Sequence, residues 1–246
     1  MRRILAKFLV FYLKVCAKAY LRRNQPAVIA VTGTTNVYDT KQQIVSMLDQ
    51  GYKVRTSKKN YSAKFGVPAS ILNVRLGGDS AVKWVKICAQ SFVRGFFIKS
   101  KIQILILELA LKWQTDMNYL LSIVKPDIAV ITNVIPSTLV DYKSTDNLAS
   151  EYLKLANAVP ARGLVLLNAH DERLAKRPVS KGTVIYYGIE AGDIQASDVK
   201  QTSEGMSFVY QGQKVTLPRF GKYAVLAFLA GSQIKSFFDK YGVKKK

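Results

Sequence analysis

Short apolar runs rich in β-branched residues alternate with longer amphipathic stretches along most of the chain. Four of these runs predict buried strands of a parallel sheet: AVIAVTG (27–33), IQILILELAL (102–111), DIAVITN (127–133) and GLVLLNA (163–169). A shorter strand is predicted at residues 54–56, and helices are predicted at residues 40–50, 80–97, 115–124 and 144–159. Residues 66–73, which begin with Gly-Val-Pro, are predicted to form a loop that leads into a helix. This alternation predicts the α/β class, with a mostly parallel sheet flanked by helices.

The pattern changes after residue 182. Four short segments with alternating character are separated by glycine and polar residues, and they predict a small antiparallel β subsheet near the C-terminal end: residues 183–189, 193–199, 206–212 and 213–218. Residues 220–241 predict a closing helix. We therefore expect one domain over residues 26–241, followed by a basic tail at residues 242–246.

Residues 1–25 predict a separate basic amphipathic helix. Its cations fall on one face, because the spacings between Arg3, Lys7, Lys14, Lys18 and Arg22 are four residues (one turn) or seven residues (two turns). Lysines interrupt the apolar region, so neither a membrane span nor a cleaved signal peptide is expected. Two interpretations stay open for residues 2–23: the helix lies on an anionic membrane surface, or it packs on its own domain.

The charge is unusual, although 49% apolar and 22% charged residues are typical of a globular protein. The 246 residues carry a net charge of +21, and residues 1–101 hold 19 of the 37 basic residues but only 3 of the 16 acidic ones. Such a charge distribution suggests an anionic partner. Cys16 and Cys88 form no disulfide framework, which favours the cytoplasm, and the single histidine, His170, excludes a His-rich metal site.

A nucleic acid is one such anion, and several aromatic residues lie in the basic half: Tyr61, Trp84, Phe92, Phe96 and Phe97. However, no recognised nucleic-acid-binding motif is present. The spacing of these aromatic residues predicts that most of them lie in the core. We therefore do not expect nucleic acid to be the partner.

The strand that ends at Val31-Thr32-Gly33 is followed by a short loop and a helix, where α/β proteins bind phosphate. Candidate cofactor-binding residues in this loop are Thr32, Gly33, Thr34, Thr35, Asn36, Thr40 and Lys41. A working phosphate loop also needs a flexible glycine, a lysine that neutralises the phosphates, and a Ser or Thr that holds Mg²⁺.

The loop TGTTNVYDTK (32–41) resembles the T-G-[ST]-x-G-K-T-[ST]-T-K motif of the Mur ligases, especially the type that adds D-Ala-D-Ala. Four further segments resemble motifs of the same family: SKKNYSAKFGVPASIL (57–72), LILEL (105–109), SIVKPDIAVITNVIPSTL (122–139) and VPARGLVLLNAHDERL (159–174). The similarity runs from about residue 26 to about residue 230. It implies a P-loop-type domain that binds ATP and Mg²⁺, the central one of three domains.

The resemblance also assigns roles to residues. It implies Glu108 as the Mg²⁺ ligand, and it adds Asn133, Asn168 and Asp171 to the candidate cofactor-binding residues. The alternative for Glu108 is a structural carboxylate that pairs with a neighbouring Lys or Arg. Other chemical positions depart from the family. The family glycine, lysine and Mg²⁺ threonine fall on Asn36, Val37 and Tyr38; the family histidine falls on Thr138; the carbamylated lysine falls on Tyr152; and the closing H-N-x-x-N-A motif falls on Tyr223, Ala224 and Ala227.

The leading hypothesis is therefore a catalytically inactive Mur-ligase-like protein related to peptidoglycan precursor synthesis, with a scaffold or binding role and no intact catalytic residue. The alternative is an active ATP-dependent ligase completed by a separate chain or a cell-wall enzyme, in which Lys41, Lys58, Lys59 or Lys64 would reach the phosphates. A third reading is a protein that binds nucleic acid or an anionic membrane. We expect a cytoplasmic location, with attachment at the inner face of the membrane through residues 2–23.

Overall fold

The computed structural model describes residues 2–57, 61–77, 80–111, 116–136, 144–175 and 180–243. Its strands are β1 (Ala27–Thr32), β2 (Val54–Thr56), β3 (Ile104–Glu108), β4 (Ile128–Ile131), β5 (Leu164–Asn168), β6 (Thr183–Ile189), β7 (Ile194–Thr202), β8 (Gly205–Tyr210) and β9 (Gln213–Leu217). Its helices are α1 (Arg2–Asn24), α2 (Val37–Leu48), α3 (Gly66–Leu72), α4 (Ala81–Phe96), α5 (Asp116–Leu121), α6 (Thr145–Asn157), α7 (Glu172–Ala175) and α8 (Lys222–Tyr241).

The strands form one sheet in the order β2-β3-β1-β4-β5-β6-β7-β8-β9. Neighbouring strands from β2 to β7 run parallel, and the β7–β8 and β8–β9 pairs are antiparallel. The predicted α/β class and the antiparallel subsheet are thus confirmed. The subsheet is smaller than predicted, however, because β6 pairs in parallel with both β5 and β7.

The central strands are buried on both faces, which explains their continuous apolar sequences. One face packs against α1, α3, α4, α5 and α6, and the other packs against α2 and α8. Helices therefore flank the sheet, as the sequence predicts. The helix α7 was not predicted, since four residues are too few to show a periodicity.

The helix α1 packs on its own domain through its C-terminal half. Four of its side chains are buried in the core cluster on the face of the sheet that α1 covers together with α3 and α6: Leu13, Cys16, Ala17 and Tyr20. One of the two interpretations of residues 2–23 is thus confirmed, and the membrane interpretation stays a prediction. Within the described residues, no helix is both long enough and apolar enough to span a bilayer. Of the predicted basic tail, residues 244–246 lie outside the described part of the chain.

The prediction that most of the five aromatic residues lie in the core is wrong for three of them. Phe92, Phe96 and Phe97 are exposed at the end of α4, where their rings contact one another. The helix instead turns Ile87, Ser91 and Gly95 inward. Position 95 is occupied by glycine because α1 lies very close: a Cβ at Gly95 would come within 2.7 Å of the Cys16 carbonyl oxygen.

Candidate phosphate-loop site

The candidate site lies where the order of the strands reverses. The strand β1 lies between β3 and β4, and the chain leaves β1 toward β2 and β3 before it returns on the other side. In open α/β sheets, ligands bind outside the carboxyl ends of the strands at such a switch point. The loop after β1, Glu108 at the end of β3 and Asn133 after β4 all meet at this edge.

The phosphate loop itself, residues 33–36, keeps a strained backbone. Gly33 has φ of 142°, and a Cβ there would lie 2.0 Å from the Thr132 hydroxyl oxygen, so only glycine fits. Asn36 precedes α2 in the left-handed conformation, with φ of 59°. Asparagine tolerates this conformation better than most residues, which explains how it can stand where the family has glycine.

Asn133 fastens the loop to the sheet. The amide of Thr34 donates to the Asn133 carbonyl (3.0 Å), and the amide of Thr35 donates to the Asn133 side-chain oxygen (3.0 Å). The Asn133 amide group donates in return to the Thr35 hydroxyl (2.7 Å), and the Thr132 hydroxyl donates to the Thr35 carbonyl (2.8 Å). Two loop amides are therefore bonded to protein atoms, and the loop has its shape without a ligand.

Lys41 and Glu108 form a buried ion pair. The Lys41 ammonium lies 3.0 Å from the Glu108 carboxylate, and the Lys41 side chain is fully buried while that of Glu108 is 17% exposed. The ammonium also donates to the carbonyl and hydroxyl oxygens of Ser57 (3.1 and 3.2 Å) and faces the Tyr38 ring at 5.0 Å. Its three N–H groups thus have acceptors within the protein.

A pocket of about 340 Å³ opens beside the loop. It is lined by loop residues 33–36, by Val37 and Tyr38, and by Glu108 and Tyr152. Burial raises the pKa of Tyr152 to about 12, although a hydrogen bond with Thr34 opposes the shift. The phenol is therefore neutral at physiological pH. The pocket lies at the N-terminus of α2, where the helix dipole favours an anion, but Val37 adds no charge.

Asn168 and Asp171 lie at the end of β5 and stabilise the neighbouring backbone. Asn168 donates to the Thr132 carbonyl (2.8 Å) and accepts from the His170 amide (3.0 Å). Asp171 accepts from the amides of Val134 and Arg173. Both residues also line a groove of about 810 Å³ that includes Tyr223. A tyrosine thus stands in this groove at the position where the family has its closing histidine.

The residues around Glu108 do not form a binding site that suits a divalent cation. The carboxylate already has a cation, the Lys41 ammonium, and Tyr38 places a ring where a compact oxygen ligand would be needed. Within the described part of the chain, no three His, Cys, Asp or Glu side chains are grouped so that they could hold a metal ion. Glu108 was predicted either to bind metal or to pair with a neighbouring cation, and the structure has the pair.

Other predicted residues do not meet at the site. Thr40 is buried, and the Thr32 hydroxyl donates to the Leu109 carbonyl (2.6 Å), so both serve the fold. Lys64 pairs with Asp116 at 2.9 Å. Thr138, Lys58 and Lys59 lie outside the described residues. Conversely, Ser57 was missed as a partner of Lys41, because the motif segment that begins at this serine gives no information on its distance from Lys41.

Comparison with known proteins gives the family. The model of the Mur ligase middle domain matches residues 90–233, more than half of the chain. The UDP-N-acetylmuramoyl-tripeptide–D-alanyl-D-alanine ligase of Bacillus subtilis is 28% identical over 228 residues, which are 92% of this chain and 44% of that protein. The ligase of the same name from Synechocystis is 25% identical, over 90% of this chain and 43% of that protein.

Solved structures share the fold. MurF from Acinetobacter baumannii has a TM-score of 0.75 at 18% identity, over 93% of this chain and 46% of that one. The MurF ligase from Thermotoga maritima in complex with ADP has a TM-score of 0.73 at 19% identity, over 96% of this chain and 50% of that one. The chain spans less than half the length of these two curated relatives. With its switch-point loop, its sheet order and the matching family model, the chain belongs to the Mur ligase family.

Proposed function

We propose that this chain is a Mur-ligase-like domain that does not activate a carboxylate with ATP by itself, and that it has a binding or scaffold role in the making of cell-wall precursors. The observation that carries this proposal is the Lys41–Glu108 ion pair. An internal ammonium neutralises the carboxylate that the family resemblance assigns to Mg²⁺.

The charge balance of the loop supports the same conclusion. A nucleoside triphosphate needs cations where its charge is concentrated. Val37 supplies none, and the Lys41 ammonium is held by Glu108 and Ser57. A hydrogen bond to a charged group contributes about 1.5–3 kcal/mol, so the missing lysine alone would weaken binding by roughly 10- to 150-fold. We therefore expect Mg-ATP to bind no more tightly than the millimolar range.

The first test is calorimetric titration with Mg-ATP, together with an assay of ATP turnover. A Val37→Lys/Tyr38→Thr variant provides the matched comparison, because it restores the family residues in a loop whose backbone is already formed. We expect weak binding by the wild type, at least tenfold tighter binding by the variant, and no turnover by the wild type.

The opposite result has a clear meaning. Tight, Mg²⁺-dependent binding by the wild type, or ATP turnover that is lost on substitution of Glu108, would overturn the proposal. It would favour an active ligase completed by a separate chain. Since Glu108→Ala leaves the buried Lys41 ammonium without its counter-charge, the Lys41→Met/Glu108→Gln double variant is measured beside it, so that loss of function is not confused with unfolding.

A further inference from the structure

The helix α4 exposes an apolar stripe on the side that faces away from the core. Its inner face carries Ile87, Ser91 and Gly95, whereas Val82, Val85, Ala89, Phe92 and Phe96 form a stripe at spacings of three and four residues on the exposed side. Val82 and Val85 are 77% and 69% exposed, and Phe97 extends the stripe. A helix that packs on a domain normally buries its apolar stripe, so this stripe requires another explanation.

The helix α1 has a second exposed apolar stripe, which consists of Leu5, Phe8, Phe11 and Val15. The two helices are in contact: the Tyr12 hydroxyl donates to the Cys88 carbonyl, and Gly95 lies against Cys16. Exposed apolar patches of this kind on a domain surface mark interaction sites.

The two stripes lie on the same side of the helix pair. Around α1, the core residues Leu13 and Ala17 lie on one side of the contact residue Cys16, and Phe8 and Val15 lie on the other. Around α4, Ile87 faces the core, whereas Val85 and Phe92 lie across the contact residue Cys88. Both stripes therefore face away from the sheet, and they form one apolar surface, which we call the α1–α4 face.

The charge around the α1–α4 face has one sign. Residues 2–24 and 81–101 contain twelve Lys and Arg residues and no Asp or Glu. Lys7 and Lys86 are exposed, each one helical turn from an apolar residue of a stripe, Phe11 and Val82 respectively. The centres of protein–protein interfaces are depleted in lysine, whereas basic residues beside exposed aromatic and aliphatic ones are typical of helices that lie in an anionic bilayer surface.

We infer that the α1–α4 face docks on an anionic lipid bilayer, with its apolar side chains in the headgroup region and its lysines and arginines on the lipid phosphates. The membrane interpretation of residues 2–23 is thereby extended to a surface made of two helices, α1 and α4, which lie side by side only in the folded chain. This inference does not depend on the proposed lack of ATP turnover. Each cation near the surface adds about fivefold to the partition coefficient, and the apolar side chains add attraction that salt does not screen.

The test is co-sedimentation of the full chain with vesicles of 30% phosphatidylglycerol in phosphatidylcholine, and with vesicles of phosphatidylcholine alone. The probe variant is Phe8→Ser/Phe97→Ser, whose side chains are 60% and 62% exposed; the control is Phe220→Ser/Tyr241→Ser, at 62% and 63%. We expect the anionic vesicles to bind the wild type and the control alike, and the probe variant at least tenfold more weakly. Thermal melts of all three proteins confirm that they fold.

A second pair of variants tests the charge. Lys7→Gln/Lys86→Gln should weaken binding to the anionic vesicles by roughly 25-fold, at about fivefold for each cation, whereas Lys200→Gln/Lys214→Gln on β7 and β9 should not. Equal binding by wild type and the Phe8→Ser/Phe97→Ser variant would overturn the inference. The inference would also be overturned if the wild type did not bind the vesicles. One such case is a wild type that forms a dimer in sedimentation velocity, when the Phe8→Ser/Phe97→Ser variant abolishes that dimer.

Discussion

The Lys41–Glu108 pair gives the sharpest prediction, because its two members differ in exposure. Glu108→Gln leaves a fully buried ammonium with only Ser57 as a partner. Breaking a buried ion pair by removing one partner costs about 3–5 kcal/mol. Since the Glu108 carboxylate is 17% exposed, we expect about 3 kcal/mol, the lower end of that range. In a chain of this size, this loss lowers Tm by roughly 6–12 °C.

The opposite single variant should cost less. Lys41→Met leaves the carboxylate without its cation, but water can reach Glu108, so we expect a loss of about 1–3 kcal/mol. The double variant Lys41→Met/Glu108→Gln removes both charges, and the whole pair can often be replaced at little cost. We therefore expect the double variant to lie within about 1 kcal/mol of the wild type, with a coupling energy of about 2 kcal/mol or more.

The assay is urea unfolding of the four proteins followed by circular dichroism, with the slope of each transition compared so that stability and compactness are separated. Additive losses in the double variant would refute the reasoning, because independent groups do not couple. A Glu108→Gln variant as stable as the wild type would refute it more directly, since the ammonium would then not depend on the carboxylate.

Three further predictions concern the loop and its pocket. Gly33→Ala should abolish soluble expression or lower Tm by more than about 6 °C, because the Cβ would lie 2.0 Å from the Thr132 hydroxyl at a φ of 142°; a melt at the wild-type temperature would contradict this. Asn36→Gly should leave the free energy of unfolding within about 1 kcal/mol of the wild type, whereas Asn36→Val should lower it by about 1–3 kcal/mol, since only the second strains a left-handed backbone; urea titration distinguishes them. Because the folded-state pKa of Tyr152 is raised from 10 to about 12, its contribution to stability is complete below pH 10 and is lost as the pH rises through 12. Tyr152→Phe should therefore lose less stability between pH 9 and pH 11.5 than the wild type, and equal losses would contradict the assigned burial.

The sheet could be predicted from the sequence because its strands are buried on both faces and therefore stand out as continuous apolar runs. The positions of β1, β3, β4 and β5 follow from that pattern. The parallel pairing of β6 with β5 could not be predicted, since an alternating segment is equally compatible with either direction. The family motifs placed the phosphate loop correctly at the end of β1, and they also identified Val37 and Tyr38 as departures.

The partners of the loop residues were beyond the sequence. Lys41 and Glu108 are 67 residues apart, and their contact depends on how α2 lies over β3, for which no local pattern gives a distance. The orientation of α4 was also missed, because its aromatic spacing predicts burial while the close approach of Cys16 to Gly95 dictates the opposite. The orientation of α4 depends on its packing against α1, and the periodicity of a single helix contains no information about such packing.

The bonds between Asn133 and the loop have a consequence for how such a domain can change over evolutionary time. Asn133, Thr132 and Gly33 hold the loop to the sheet, so folding alone is enough to maintain them. The side chains of Val37 and Tyr38 line the pocket that a ligand would fill, so these two residues can change once no ligand requires them. A lineage that no longer carries out the chemistry would thus keep the residues of the motif that the fold requires. The residues maintained only by ligand binding would be the first to change.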